Sequence, residues 1–152
     1  MALIDVVVFE MNRTYYALDI NLVREIVEIM DITPIPKMPP HIAGMINLRG
    51  EITTIINLNV LLEIPDNDGE ESRKIIVLTS DESGGPRQGI IVDNVRSVIR
   101  IDEEKIDHMD NAITKEAYIK GIIKEKSESG KDETRLIIWL DLAKILEELN
   151  AE

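Results

Sequence analysis

At 152 residues the chain has the length of one domain, long enough to bury roughly 68–70% of its unfolded surface. Its apolar fraction is 44%, yet it holds one Trp, one Phe and three Tyr, so its core is aliphatic and its β-branched residues favour strands. A formal net charge of −12 disfavours nucleic acid and anionic membrane surfaces, and zero Cys excludes disulfides and thiolate-held metals.

Met1-Ala2-Leu3-Ile4-Asp5 carries no basic segment ahead of an apolar one, so no signal peptide is expected. No apolar run approaches the ~20 residues that span a bilayer. The expected address is the cytoplasm.

In chain order, Val6-Val7-Val8-Phe9-Glu10 reads as a strand, Asn12-Arg13 as a turn, and Tyr15-Tyr16-Ala17-Leu18-Asp19-Ile20 as the returning strand. Leu22, Val23, Ile26 and Val27 have helical spacing with Asn21 or Asp19 as N-cap, which predicts a short helix or single turn. Pro34, Pro36, Pro39 and Pro40 make residues 32–40 an extended surface connection; a polyproline ligand is the other reading, but the tract is short and a rigid connector is expected.

Next, the apolar strand that starts at Ile42-Ala43-Gly44-Met45-Ile46 ends in Asn47-Leu48-Arg49-Gly50, and after the turn the chain resumes as Ile52-Thr53-Thr54-Ile55-Ile56-Asn57-Leu58. Gly50 tolerates the positive φ of a tight two-residue turn, so this is a hairpin with Arg49 at its tip. Val60-Leu61-Leu62-Glu63-Ile64 closes the first half, and residues 65–72 are a polar linker. Strands follow at 74–78 and 89–93, separated by a loop over 81–88. Val95, Val98, Ile99 and Ile101 continue as strand or turn. Strands at 118–123 and 136–140 enclose a charged loop over 124–134. Finally, Asp141 is an N-cap, and Leu142, Ile145, Leu146 and Leu149 form one apolar helical stripe.

The halves echo each other. Val23-Arg24-Glu25-Ile26 matches Val95-Arg96-Ser97-Val98, Ala43-Gly44-Met45-Ile46 matches Lys120-Gly121-Ile122-Ile123, and Ile56-Asn57-Leu58 matches Leu140-Asp141-Leu142. Two units of about five short strands each suggest two small barrels, which remove exposed strand edges. The expected division is a single domain with subdomains at about 10–65 and 72–140 and termini packing on both.

Reactive chemistry finds little support. Asp66-Asn67-Asp68-Gly69 fails the calcium-loop pattern, because with Gly69 at the sixth position the first would be Ile64. His41 and His108 are remote in sequence and fit loop positions. Signatures of a nucleophile elbow, a phosphate loop or a zinc-protease helix do not occur. The expectation is a non-enzyme with no cofactor and no metal.

Recognition remains. Arg49 presents a planar fork of donors suited to a carboxylate, on a partner or on this chain, where Glu25 is the candidate. Val23 and Val27 offer an apolar strip if exposed and core if buried, with Val92, Val95 and Val98 as the matching strip of the second half. Gly44 fits a turn or bulge requirement, or the close approach of a partner backbone.

Across residues 4–149 the chain resembles the CheW family of chemotaxis coupling proteins. The likeness is carried by Tyr-x-Ala-Leu-Asp-Ile-x-x-Val-Arg-Glu-Ile from Tyr15, Ile-Thr-Pro-Ile-Pro from Ile32, Gly-Met-Ile-Asn-Leu-Arg-Gly from Gly44, Ile-Ile-Asn-Leu from Ile55, Gly-Ile-Ile-Val-Asp-x-Val from Gly89, and Arg-Leu-Ile-Ile-Trp-Leu-Asp-Leu from Arg135. Asn57 stands where the family often has Asp, and Thr53-Thr54 where an apolar residue and Pro are usual; both changes are expected to adjust packing. The resemblance implies a mainly β fold of two five-stranded SH3-like barrels side by side, with a short helix in the first half and a C-terminal helix.

It also implies a scaffold that links the cytoplasmic tip of methyl-accepting chemoreceptors to the regulatory domain of the histidine kinase CheA, recruited to membrane-associated arrays. The implied partner-binding residues are Val23, Glu25, Ile26, Val27, Gly44, Asn47, Arg49, Gly50, Val92, Val95 and Val98. Other readings are a CheW-like module of a twitching or second-messenger pathway, and a peptide- or oligonucleotide-binding barrel. The compact ends fit a free-standing protein over a domain cut from a kinase.

Overall fold

The structure, a computed structural model, describes residues 3–65, 73–79, 87–106, 118–126 and 134–150. Expectations for the linker at 66–72, the loop at 81–86, His108 and the loop at 127–133 lie outside the described residues, as does the side chain of Leu149.

Among the described residues ten strands form: β1 (Leu3–Met11), β2 (Thr14–Asp19), β3 (Val23–Glu28), β4 (Ile42–Leu48), β5 (Glu51–Ile56), β6 (Lys74–Leu78), β7 (Arg87–Val92), β8 (Asn94–Asp102), β9 (Ile119–Lys126) and β10 (Thr134–Leu140). Two helices accompany them among the described residues, α1 (Leu58–Leu61) and α2 (Leu142–Asn150). The strands make two five-stranded sheets, ordered β8-β1-β2-β10-β9 and β3-β6-β7-β5-β4. The mainly β expectation with a short first-half helix and a C-terminal helix holds.

One element differs in kind. Residues 23–28 are strand, entered through a 3-10 turn at Ile20–Leu22. The helix-like spacing of Val23, Ile26 and Val27 arises because Ile26 is an apolar residue on the exposed face of the strand, 41% exposed, between the inward Val23 and Val27. The burial then alternates residue by residue, as a strand requires. The short helix of the first half is α1 instead. Strands also reach further than expected: β7 begins at Arg87, opposite Thr53, and β9 runs on to Lys126.

Each sheet has its own core. In the first, Val6, Val8, Ala17, Ile101, Ile106, Ile123, Ile137 and Trp139 cluster. In the second, Ile46, Leu48, Ile55, Ile75 and Val77 do so, with Val27, Ile29, Met30 and Ile32 packed against them. The aliphatic core expected from composition is realised in both.

The sheets also correct the expected boundaries. Replacing β1, β2, β8, β9 and β10 by β6, β7, β3, β4 and β5 turns one strand order into the other. Each sheet therefore joins the first two strands of one repeat to the last three of the other, not a contiguous 10–65 and 72–140. The join is parallel both times, β10 with β2 and β5 with β7. Even details repeat. The extra residue of the β4–β5 register shift is Ala43, just before Gly44, and that of β9–β10 is Lys120, just before Gly121. The amides of Asn57 and Asp141 donate to the carbonyls of His41 and Tyr118, both at 2.7 Å.

The expected N-cap of α2 is present: the Lys144 amide donates to Asp141 Oδ1 at 3.1 Å, and Leu142 and Ile145 are buried.

Candidate functional site

The β4–β5 turn is Arg49-Gly50. Both residues have positive φ, 50° and 85°, the type I′ geometry that matches strand twist. Asn47 sits on the outward side of β4, and its Oδ1 accepts the Gly50 amide at 2.9 Å. That bond ties the tip to its own strand.

Arg49 reaches across to β3. Its Nη2 donates to Glu25 Oε1 at 2.6 Å and also contacts Oε2. β3 and β4 are the two edges of the second sheet, so this pair links the edges at the hairpin end. Of the two candidate acceptors for Arg49, Glu25 of this chain is the one observed. The Arg49 side chain stays 64% exposed and Glu25 25%, so the pair adds little stability.

Around this pair, Val23, Glu25 and Val27 share one face of β3 and are half-buried, with Val27 against the core. Ile26 points the other way and is 41% exposed. The structure thus brings together Glu25, Asn47, Arg49 and Gly50.

Two expected contact residues are internal. Val92 is fully buried in β7, and the strip of Val92, Val95 and Val98 does not exist as one surface: Val95 and Val98 lie on β8, which belongs to the other sheet, and only Val98 is exposed. Gly44 is buried because Thr33 covers it. Thr33 and Met45 exchange backbone hydrogen bonds, each 2.8 Å, and a Cβ on Gly44 would lie 2.3 Å from the Thr33 carbonyl oxygen. The close-approaching backbone is the chain's own. The rigid-connector reading of the proline tract fits this anchor, since Lys37 at φ 63° interrupts any polyproline helix.

Two features went unnoticed in the sequence. Ile52, directly opposite Asn47, is 66% exposed. Glu51 forms an ion pair with Arg87 at the start of β7. A two-residue turn sets Asn47 opposite Ile52, so the exposure of Ile52 was recoverable from register alone.

Elsewhere, Arg100 on β8 bonds Asp5 at 2.9 Å, and that hydrogen bond, then its charge, holds the Asp5 carboxyl below its usual range. Burial pushes the Tyr16 phenol up. Arg96 and Arg135 approach the Tyr15 ring, and Asp19 accepts from Trp139 Nε1 at 2.6 Å and from Lys120 at 3.1 Å. These groups brace the first sheet. A cleft of about 180 Å³ lined by Asn57, Asn59, Arg73 and Asp93 is smaller than ordinary ligand sites. Among the described residues, no three His, Asp or Glu are grouped to hold a metal, and no helix is long and apolar enough to cross a membrane.

The model of the CheW-like domain matches residues 5–150. The chain belongs to the CheW family. Chemotaxis protein CheW of Thermotoga maritima is 33% identical over 148 residues, covering 97% of this chain and 91% of that one. CheW of Bacillus subtilis is 28% identical over 96% and 88%. The crystal structure of scaffolding protein TtCheW from Thermoanaerobacter tengcongensis superposes with a TM-score of 0.75 at 34% identity, covering 93% of this chain and 86% of that one. The CheW family is one of non-enzymatic chemotaxis scaffolds, and the two SH3-like sheets of this chain are its fold.

Proposed function

We propose that this CheW-family chain couples transmembrane chemoreceptors to the histidine kinase CheA in the cytoplasm, at membrane-associated arrays, without catalysis. The observation that carries the reading is the Arg49–Glu25 pair, a guanidinium held at a hairpin tip yet 64% exposed. Only Nη2 is engaged by Glu25, and a guanidinium has five N–H donors. A partner carboxylate can therefore add to the fork without breaking the internal pair. Asn47 and Gly50 extend the surface beside it, whereas Ile26, on the opposite face of β3, and Val98, on β8, are separate exposed apolar points.

Couplers of this kind need no tight single contact. Interfaces of ~800 Å² per partner or less suffice when many copies act together. Signal passes only if a receptor state changes the affinity on the kinase side.

The test is Arg49→Glu, with Glu25→Gln as a companion. Arg49→Glu is expected to keep the native circular dichroism and melt yet weaken binding to the CheA regulatory domain or the receptor tip by roughly 2–5 kcal/mol, as for a desolvated charge contact. Calorimetry with each partner reads this out. Unchanged affinity for both partners would remove Arg49 from the interface, and an unfolded variant would make it a structural residue.

A further inference from the structure

Residues 49 and 51 flank Gly50 and carry opposite charges, and each is tied to a different strand. Arg49 goes to Glu25 on β3, whereas Glu51 goes to Arg87 Nε on β7. The sheet order places β5 between β4 and β7, so Glu51 is drawn toward the sheet interior while Arg49 is drawn to the opposite edge. Arg87 is the less exposed member of its pair, 22% against 50% for Glu51. It opens β7 directly across from Thr53, two residues past Glu51. Neither exposed pair contributes much to stability, which leaves the placement of charge at the tip as what they govern.

A carboxylate two residues from Arg49 is a natural competitor for its guanidinium. In a chain with 29 acidic residues, that competition is a standing hazard for any surface that depends on one Arg. We propose that Arg87 is a positioning residue: by sequestering Glu51 on the β7 side, it keeps the Arg49 guanidinium directed to Glu25 and available to a partner carboxylate. The inference rests on the coupling function proposed above and names the residue that sets the availability of its central group.

The discriminating property is rescue. If Arg87 only braces the hairpin, Arg87→Gln and Glu51→Gln are equally harmful and the double variant is no better. If Arg87 sequesters a competitor, Arg87→Gln is harmful alone, Glu51→Gln is nearly silent, and Arg87→Gln/Glu51→Gln recovers, because the competing charge is gone.

The experiment uses the full chain in four forms: wild type and these three variants. Binding to the CheA regulatory domain is followed by calorimetry, and the Arg49 guanidinium resonances by NMR without any partner. Arg87→Gln is expected to lose roughly two- to fivefold in affinity, the scale of one exposed ion pair, and to shift the Arg49 resonances. The double variant is expected to restore both. Thermal melts of all four forms check folding. Glu51→Gln behaving like Arg87→Gln, or a double variant without recovery, would overturn the proposal. If wild type fails to bind the kinase domain, the coupling function fails instead, and the partner-free NMR still decides whether Glu51 competes for Arg49.

Discussion

Thr53 shows how much one side chain can matter in an aliphatic core. It is fully buried, it shares a face of β5 with Ile55, and its hydroxyl has no hydrogen-bond partner among the described residues. A buried hydroxyl with no bond loses its hydration without replacement, a penalty of about 1–3 kcal/mol. Val matches the β-branched shape of Thr without the hydroxyl. Thr53→Val is therefore expected to stabilise the protein by about 1–2 kcal/mol, raising Tm by roughly 2–8 °C for a chain of this size. Denaturant midpoints at constant slope provide the measurement; a destabilised variant would mean the hydroxyl is satisfied. At this scale the sequence was informative wherever a residue type has few uses. Asn-Leu-Arg-Gly announced the turn and the exposed Arg49, because positive φ beside a Gly leaves few alternatives. Val92 was opaque. It lies in the unbroken apolar run Ile90-Ile91-Val92, where no polar neighbour marks which side faces inward.

Among the elements, β4 is shaped by its bulge. Ala43 is the extra residue, Gly44 follows at φ 149°, and Thr33 lies across it. An Ala at this position meets the backbone carbonyl of Thr33 at 2.3 Å, and backbone cannot yield as a flexible side chain can. The isolated bridge between Thr33 and Met45 would have to open. Gly44→Ala is expected to destabilise by about 2–5 kcal/mol, from unfavourable φ together with overpacking. Gly50 serves as the control. Its φ of 85° is also unfavourable for Ala, but nothing lies within 4 Å of the added Cβ, so Gly50→Ala should lose only about 1 kcal/mol. Equal losses in paired unfolding curves would show that the covering strand segment does not matter. The same element scale explains the one misread segment. Ile26 adds an apolar residue on the exposed face of β3 between the inward Val23 and Val27, and in so short a run periodicity cannot separate a strand from a single helical turn.

The exchange of hairpins between the two repeats is a matter of reach. Suppose the second repeat kept its own β6–β7 pair and built the order β8-β6-β7-β10-β9. By analogy with the antiparallel β3–β6 pair, β8 would then run antiparallel to β6. Since β6 and β7 are antiparallel, β8 would run parallel to β7. The connection from β7 would have to return along a strand's length, roughly 17–20 Å. Asp93 alone joins them, and one residue spans at most ~3.6 Å. In the first repeat the three residues Ile20–Leu22 face the same demand between β2 and β3 and also fall short, at roughly 11 Å. Short hinges favour exchange, so β1–β2 completes the β8–β10 sheet and β6–β7 completes the β3–β5 sheet. The repeat was legible in the sequence from matched segments. The exchange was not, because matched segments carry the same pattern whichever partner they choose; only the connection lengths distinguish the alternatives. It follows that neither half is self-sufficient. A chain cut between Gly69 and Glu70 should give two fragments that are unfolded apart, each lacking strands that close its sheets. Mixed, they should reassemble. Trp139, 3% exposed in the first sheet and the chain's single Trp, reports the event. Its emission should be red-shifted in the isolated C-terminal fragment and move to the blue at equimolar mixing, with a cooperative melt appearing at the same ratio. A C-terminal fragment that buries Trp139 and melts cooperatively without its partner would mean that Asp93 can be spanned after all, and that the exchange is a choice of the intact chain and not a requirement of its connections.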